Sequence, residues 1–106
     1  MRTAIYRPRA AYDIESIVLY LGQVAQSPDK ARTWYDSLQS SVKLLCEFPD
    51  LGRTFEDERL TIQGRRTYLV GAYRLFYSYS ESELIVWRVV HTSQDIDDYA
   101  IVDLCD

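Results

Sequence analysis

A chain of 106 residues, 47% hydrophobic and 26% charged, is sized for one globular domain spanning residues 1–106 and is not a disordered segment. Its formal net charge of −4 argues against a strongly basic nucleic-acid binder, and no apolar run is long enough for a membrane span or a signal peptide. Cys46 and Cys105 lack metal-type spacing, so reduced thiols, a cytoplasmic location and no metal or cofactor are expected.

The stretch "TAIYRP", Thr3 to Pro8, reads as a short first strand ended by proline. In "AAYDIESIVLYLGQVA" the apolar residues Ile14, Ile17, Val18 and Leu21 recur as one face of a helix. Gly22 is expected to weaken or end it. A second helix opens at Ser27-Pro28-Asp29, where serine can cap, proline suits the first helical position and aspartate favours the positive end of the dipole. Ala31, Trp34, Tyr35, Leu38, Val42 and Leu45 follow at helical spacing until Pro49 and Gly52 stop the run. Two amphipathic helices with a short link predict an antiparallel hairpin.

The period then changes to two. "RTYLVG", "YRLFYSYS" and "LIVWRVVH" read as three antiparallel strands, with Gly71-Ala72 and "ESE" as the turns between them. The expected fold class is α+β: an N-terminal strand, a helical hairpin and a three-stranded meander, with the hairpin on one sheet face. Strict alternation along the last strand would place Ile85, Trp87, Val89 and His91 on one face and Leu84, Val86, Arg88 and Val90 on the other. Both sets are largely apolar, so this strand should be central and covered on both sides. The helices cover one side, and the C-terminal tail or a partner chain must cover the other.

Charge is unevenly distributed. From Thr92 onward lie five acids (Asp95, Asp97, Asp98, Asp103, Asp106) and no base, an acidic tail over about residues 96–106. Arg59, Arg65, Arg66 and Arg74 fall in a stretch without a single acid, a local basic patch. Nine tyrosines and two tryptophans are many for this length and suit a domain that contacts something else. Trp34, Tyr35 and Trp87 are read as core, and Tyr73, Leu75, Tyr77 and Tyr79 as one strand face turned to core or partner. The Glu56–Glu58 run reads as a solvated loop.

Several short motifs, in order, carry a resemblance. "RPRAAYDIESIVLYL", "LLCEFPDLGR", "GAYRLFY" and "VWRVVHTSQDI" are similar to the successive signatures of the RelE/ParE superfamily of type II toxin–antitoxin toxins, and of the ParE branch in particular. The resemblance covers about Ile5 to Ile96. It implies a small twisted sheet carrying a helical hairpin, and a cognate antitoxin that wraps the toxin and alone provides contact with operator DNA. It also implies one of two activities: binding and inhibition of DNA gyrase, or ribosome-dependent cleavage of messenger RNA.

Cleavage needs groups that activate a 2′-hydroxyl, stabilise a crowded phosphate and protonate the leaving oxygen. By alignment on "GAYRLFY" the resemblance assigns Arg65, Arg74, His91 and Tyr99 to that work, but Thr67 and Ser93 stand where further bases belong. The favoured expectation is therefore a gyrase-binding toxin without catalytic residues. The alternatives are a RelE-like endoribonuclease and a degenerate toxin that only binds its antitoxin. Target contact is assigned to Arg65, Arg66, Arg74 and Gln94, where Gln94 replaces the arginine usual in this ending and can hydrogen-bond Asp95. Antitoxin contact is assigned to Tyr73, Leu75, Tyr77, Leu84, Val86, Arg88 and Val90, with an antitoxin acid expected on Arg88. His91, the single histidine, is read as a strand-end residue bonded to the following turn. A triad with Ser93 and Asp95 is disfavoured, because these residues alternate along one short segment.

Overall fold

The structure, a computed structural model, describes residues 1–105; Asp106, the last acid of the tail, lies outside them. The elements run β1 (Thr3–Tyr6), α1 (Pro8–Leu19), α2 (Pro28–Glu47), β2 (Arg53–Thr54), β3 (Arg66–Val70), β4 (Tyr73–Tyr79), β5 (Glu83–His91) and α3 (Asp98–Cys105). A five-stranded mixed sheet has the order β1-β5-β4-β3-β2. Strand β1 pairs in parallel with β5, from Thr3↔Glu83 to Tyr6↔Val86, and the other pairings are antiparallel. A parallel neighbour requires a long crossover, and the hairpin of α1 and α2 packed on one sheet face forms part of it.

Pro8 does more than end β1. It occupies the first position of α1, where a missing N–H costs nothing. Gly22 does not end the helix either. The helix widens into a π turn over Tyr20–Val24, and the chain leaves it at Gln26, whose φ of 53° is left-handed. Ser27 makes no side-chain capping bond, so Pro28 and Asp29 carry the start of α2. Trp34, Leu38, Val42 and Leu45 are buried as expected, but Tyr35 is 42% exposed and is not core. Trp34 Nε1 donates to the Val70 carbonyl at 3.0 Å, which ties α2 to β3.

Behind Pro49, the Tyr77 hydroxyl fixes the connection into β2. It donates to the Pro49 carbonyl at 2.5 Å and accepts from the Gly52 N–H at 3.0 Å. A Cβ on Gly52 would stand 2.4 Å from the Tyr77 hydroxyl and 2.6 Å from the Thr67 carbonyl, so glycine is required for this close approach.

Two elements go beyond the predicted set. Strand β2 has only two residues and no period to read. Helix α3 sits where only an acidic tail was expected. Its Ala100, Ile101 and Leu104 are buried. Leu104 joins Phe76, Trp87 and Val90 in a second core, with Phe55, Leu60, Ile85 and Ile96 packed around it. The second sheet face is thus covered in part by this chain's own tail.

The alternation expected along β5 breaks at Trp87. Phe76 opposes Arg88 and Tyr77 opposes Val86, so Trp87 is an extra residue. Directly opposed side chains share a face, and a bulge switches the parity beyond it. Leu84, Val86 and Val89 therefore face the hairpin, packed with Leu75 and Tyr77. Ile85, Trp87 and Val90 face α3. Arg88 goes to the α3 side with Phe76, and His91 goes to the hairpin side with Tyr73.

Candidate functional site

Where β1 runs out at Tyr6, the upper half of β5 would have a bare edge. Asp13 of α1 fills the gap. Its Oδ2 accepts the Val89 N–H at 3.0 Å and the Arg88 Nε at 2.7 Å, while Oδ1 accepts Arg88 Nη2 at 3.2 Å. Arg88 Nη1 also donates to Asp103 of α3 at 3.1 Å. Arg9 approaches the same acids, at 3.6 Å from Asp13 and 3.9 Å from Asp103. One buried arginine thus ties α1, β5 and α3 together. The carboxylate expected from an antitoxin is supplied by Asp13 of this chain.

The predicted basic patch is mostly spent inside the molecule. Arg59 bonds both carboxylate oxygens of Asp57, Asp98 at the start of α3 and the Ile96 carbonyl. Those bonds hold the Asp57 carboxyl down at about 2. Arg65 is buried beneath α3. Its Nε donates to the Leu104 carbonyl at 2.7 Å, and its guanidinium lies 4.1 Å from the Trp87 ring centre. Arg7 approaches the same ring at 5.1 Å. Arg66 donates to the Gly52 carbonyl at 2.8 Å and lies 3.4 Å from Asp50. Arg74 makes no such bond among the described residues. It is half-buried on the α3 side of β4, opposite Leu69 and Val90.

The residues assigned to RNA cleavage do not converge. Arg65 is sealed under α3, and Tyr99 is 83% exposed on that helix. His91 belongs to the opposite sheet face, its ring edge-on to Tyr73 at 5.2 Å. Its Nδ1 accepts the Ser93 N–H at 3.1 Å and lies 2.6 Å from the Ser93 hydroxyl, the geometry of a strand end bonded to its own turn. Among the described residues no carboxylate bonds His91, so no triad with Ser93 and Asp95 is assembled. Among the described residues the exposed Gln94 makes only a backbone bond, to the His91 carbonyl at 2.9 Å, and its side chain does not make the expected bond to Asp95.

The residues assigned to antitoxin contact are corrected by burial. Leu75, Tyr77, Leu84, Val86, Arg88 and Val90 are all buried within the chain, and Tyr73 is half-buried against the hairpin. Apolar surface is offered elsewhere. A groove of about 550 Å³ between α1 and α2 is lined by Tyr6, Ile14, Val18, Leu19 and Tyr35. Leu19 and Tyr35 lie on the outer side of the hairpin, and their exposure could not be read from helical spacing alone. A second cleft, of about 590 Å³, lies at the β2–β3 edge and is lined by Leu51, Arg53, Thr67, Tyr68, Leu69 and Arg74.

Among the described residues no group of His, Cys, Asp or Glu is placed to hold a metal ion. Burial pushes the Cys46 thiol up, away from the reactive thiolate. Among the described residues no helix is long and apolar enough to cross a membrane.

Against known families, residues 4–96 match the model of the ParE toxin of the type II toxin–antitoxin system parDE. No curated protein matches the chain. Among solved structures the chain resembles one from the chromosomal ParDE TA system of P. aeruginosa, at TM-score 0.64 and 20% identity over 86% of this chain and 96% of that one. It also resembles a chain of the toxin–antitoxin complex RelBE2 from Mycobacterium tuberculosis, at TM-score 0.59 and 18% identity over 85% and 96%. YafQ from E. coli follows at TM-score 0.55 and 16% identity over 88% and 96%. At these identities the solved structures establish a shared fold.

Proposed function

Because the chain belongs to the ParE toxin family of type II toxin–antitoxin systems, we propose that it arrests growth by binding and inhibiting DNA gyrase in the cytoplasm. A cognate antitoxin neutralises it. The observation that carries this reading is the dispersal of Arg65, Arg74, His91 and Tyr99 across two sheet faces and a helix exterior. General acid–base chemistry needs its groups within hydrogen-bond reach of one reacting centre. A toxin that acts by binding needs no such convergence.

The apolar groove between α1 and α2 suits the antitoxin. An amphipathic helix laid into such a groove anchors through side chains at helical spacing. Here Ile14, Val18, Leu19 and Tyr35 supply the apolar wall.

Induction of the chain without its antitoxin is expected to stop growth. Primer extension on translated messages from the arrested cells is expected to reveal no cuts in the ribosomal A site. A-site cuts would overturn the gyrase reading in favour of the endoribonuclease. Continued growth would reduce the chain to an antitoxin-binding module.

A further inference from the structure

We infer that the cleft at the β2–β3 edge is a docking site for a partner protein's acidic segment, in which carboxylates flank an aliphatic side chain. The inference rests on the reading of the chain as a toxin that acts by binding a protein. The arginines on and beside the sheet fall into two groups. Arg59, Arg65, Arg66 and Arg88 all meet oxygens of this chain. Arg53 and Arg74 do not: among the described residues neither side chain has a hydrogen bond, an ion pair or a ring contact. Both line the same cleft.

Their placement follows from register. Arg53 opposes Thr67 and Leu69 opposes Arg74, so both arginines project from the side of the sheet that α3 partly covers. They stand two strands apart, roughly 10 Å across the sheet. Thr67 and Leu69 of the strand between them face the same way. Leu69 is 61% exposed and Leu51, at the rim, 53%. An exposed leucine between two unpaired guanidiniums complements an aliphatic side chain between carboxylates.

A protein segment fits this chemistry better than a nucleic acid. A single strand wants aromatic faces for its bases. Tyr68, the one aromatic lining residue, packs instead against the core on the hairpin side. The net charge of −4 opposes a long polyanion while leaving two local arginines free to choose a short acidic stretch. In the sequence Arg53 stands only at the end of a helix-to-strand connection, with no charge pattern to mark it.

The test uses the full chain and two labelled probes in fluorescence anisotropy. One is a peptide of two acids, a leucine and two acids. The other is a single-stranded oligonucleotide of matched charge. The peptide is expected to bind more tightly than the oligonucleotide. The double reversal Arg53→Glu with Arg74→Glu should weaken the peptide roughly tenfold or more, as expected for two charge-assisted contacts. The neutral pair Arg53→Gln with Arg74→Gln, which disturbs the fold least, should weaken it in the same direction. Three results would overturn the inference: no peptide binding, tighter oligonucleotide binding, or peptide affinity unchanged in both variants. Because neither probe is gyrase, the two readings fail separately. A chain that binds the peptide but leaves gyrase untouched keeps this site and loses only the named target.

Discussion

Asp13→Ala is expected to cost about 3–5 kcal/mol of folding stability, the scale for removing one partner of a buried ion pair. Three deficits coincide. Arg88 keeps its charge in a buried position, held by Asp103 and no longer by the bidentate carboxylate. The Val89 N–H loses its acceptor at a strand edge that β1 no longer covers. The tie between α1 and β5 goes with them. Set against a total stability of roughly 5–15 kcal/mol for a domain of ordinary size, this is a large fraction. Urea unfolding would measure it as a lower midpoint at unchanged slope. Asp103→Ala supplies the contrast. Asp103 is 35% exposed at its side chain, and its loss leaves Arg88 still paired with Asp13, so the cost should stay within about 1 kcal/mol. Similar costs for the two variants would mean that Asp13 is not the anchor.

Leu104→Ala should cost about 2–5 kcal/mol, the range for truncating a buried leucine. Leu104 is fully buried against Phe76, Trp87 and Val90, and its carbonyl accepts the Arg65 Nε. Val102, two positions earlier, is 68% exposed, and Val102→Ala should change stability by no more than about 0.5 kcal/mol. Thermal or urea unfolding of the pair would separate a helix that completes the core from a tail that merely rests on it. Equal, small effects would mean that the second sheet face needs a different cover.

The parts of this fold that repeat locally were legible. The hairpin followed from Ile17, Trp34, Leu38, Val42 and Leu45 at helical spacing, because one helix face meets the sheet whatever the rest of the chain does. The meander followed from period two and from the turn at Gly71, whose φ of 60° suits glycine. Elements set by distant partners were not legible. The bulge at Trp87 depends on how β4 and β5 pair, and either parity leaves an equally apolar strand. Arg88 looked like a charge for a partner because its acid, Asp13, lies 75 residues away. Helix α3 was hidden by its aspartates, although Ala100, Ile101 and Leu104 already marked a narrow apolar stripe.

The arginine cluster in sequence looked like a single patch. In space Arg59, Arg65 and Arg66 point to three different internal acceptors, and Arg74 instead shares a cleft with Arg53. Neighbours on a strand point to opposite sheet faces, so closeness in sequence does not make a surface. The family signal was more robust than any single residue: it rested on the order of several weak motifs over about Ile5 to Ile96, and the family model matches residues 4–96.

The proposed function is tested most directly by supercoiling of relaxed plasmid with purified gyrase while the purified toxin is titrated in. Inhibition that deepens with toxin and is reversed by adding the cognate antitoxin is the predicted result. Unchanged supercoiling at large toxin excess would contradict it.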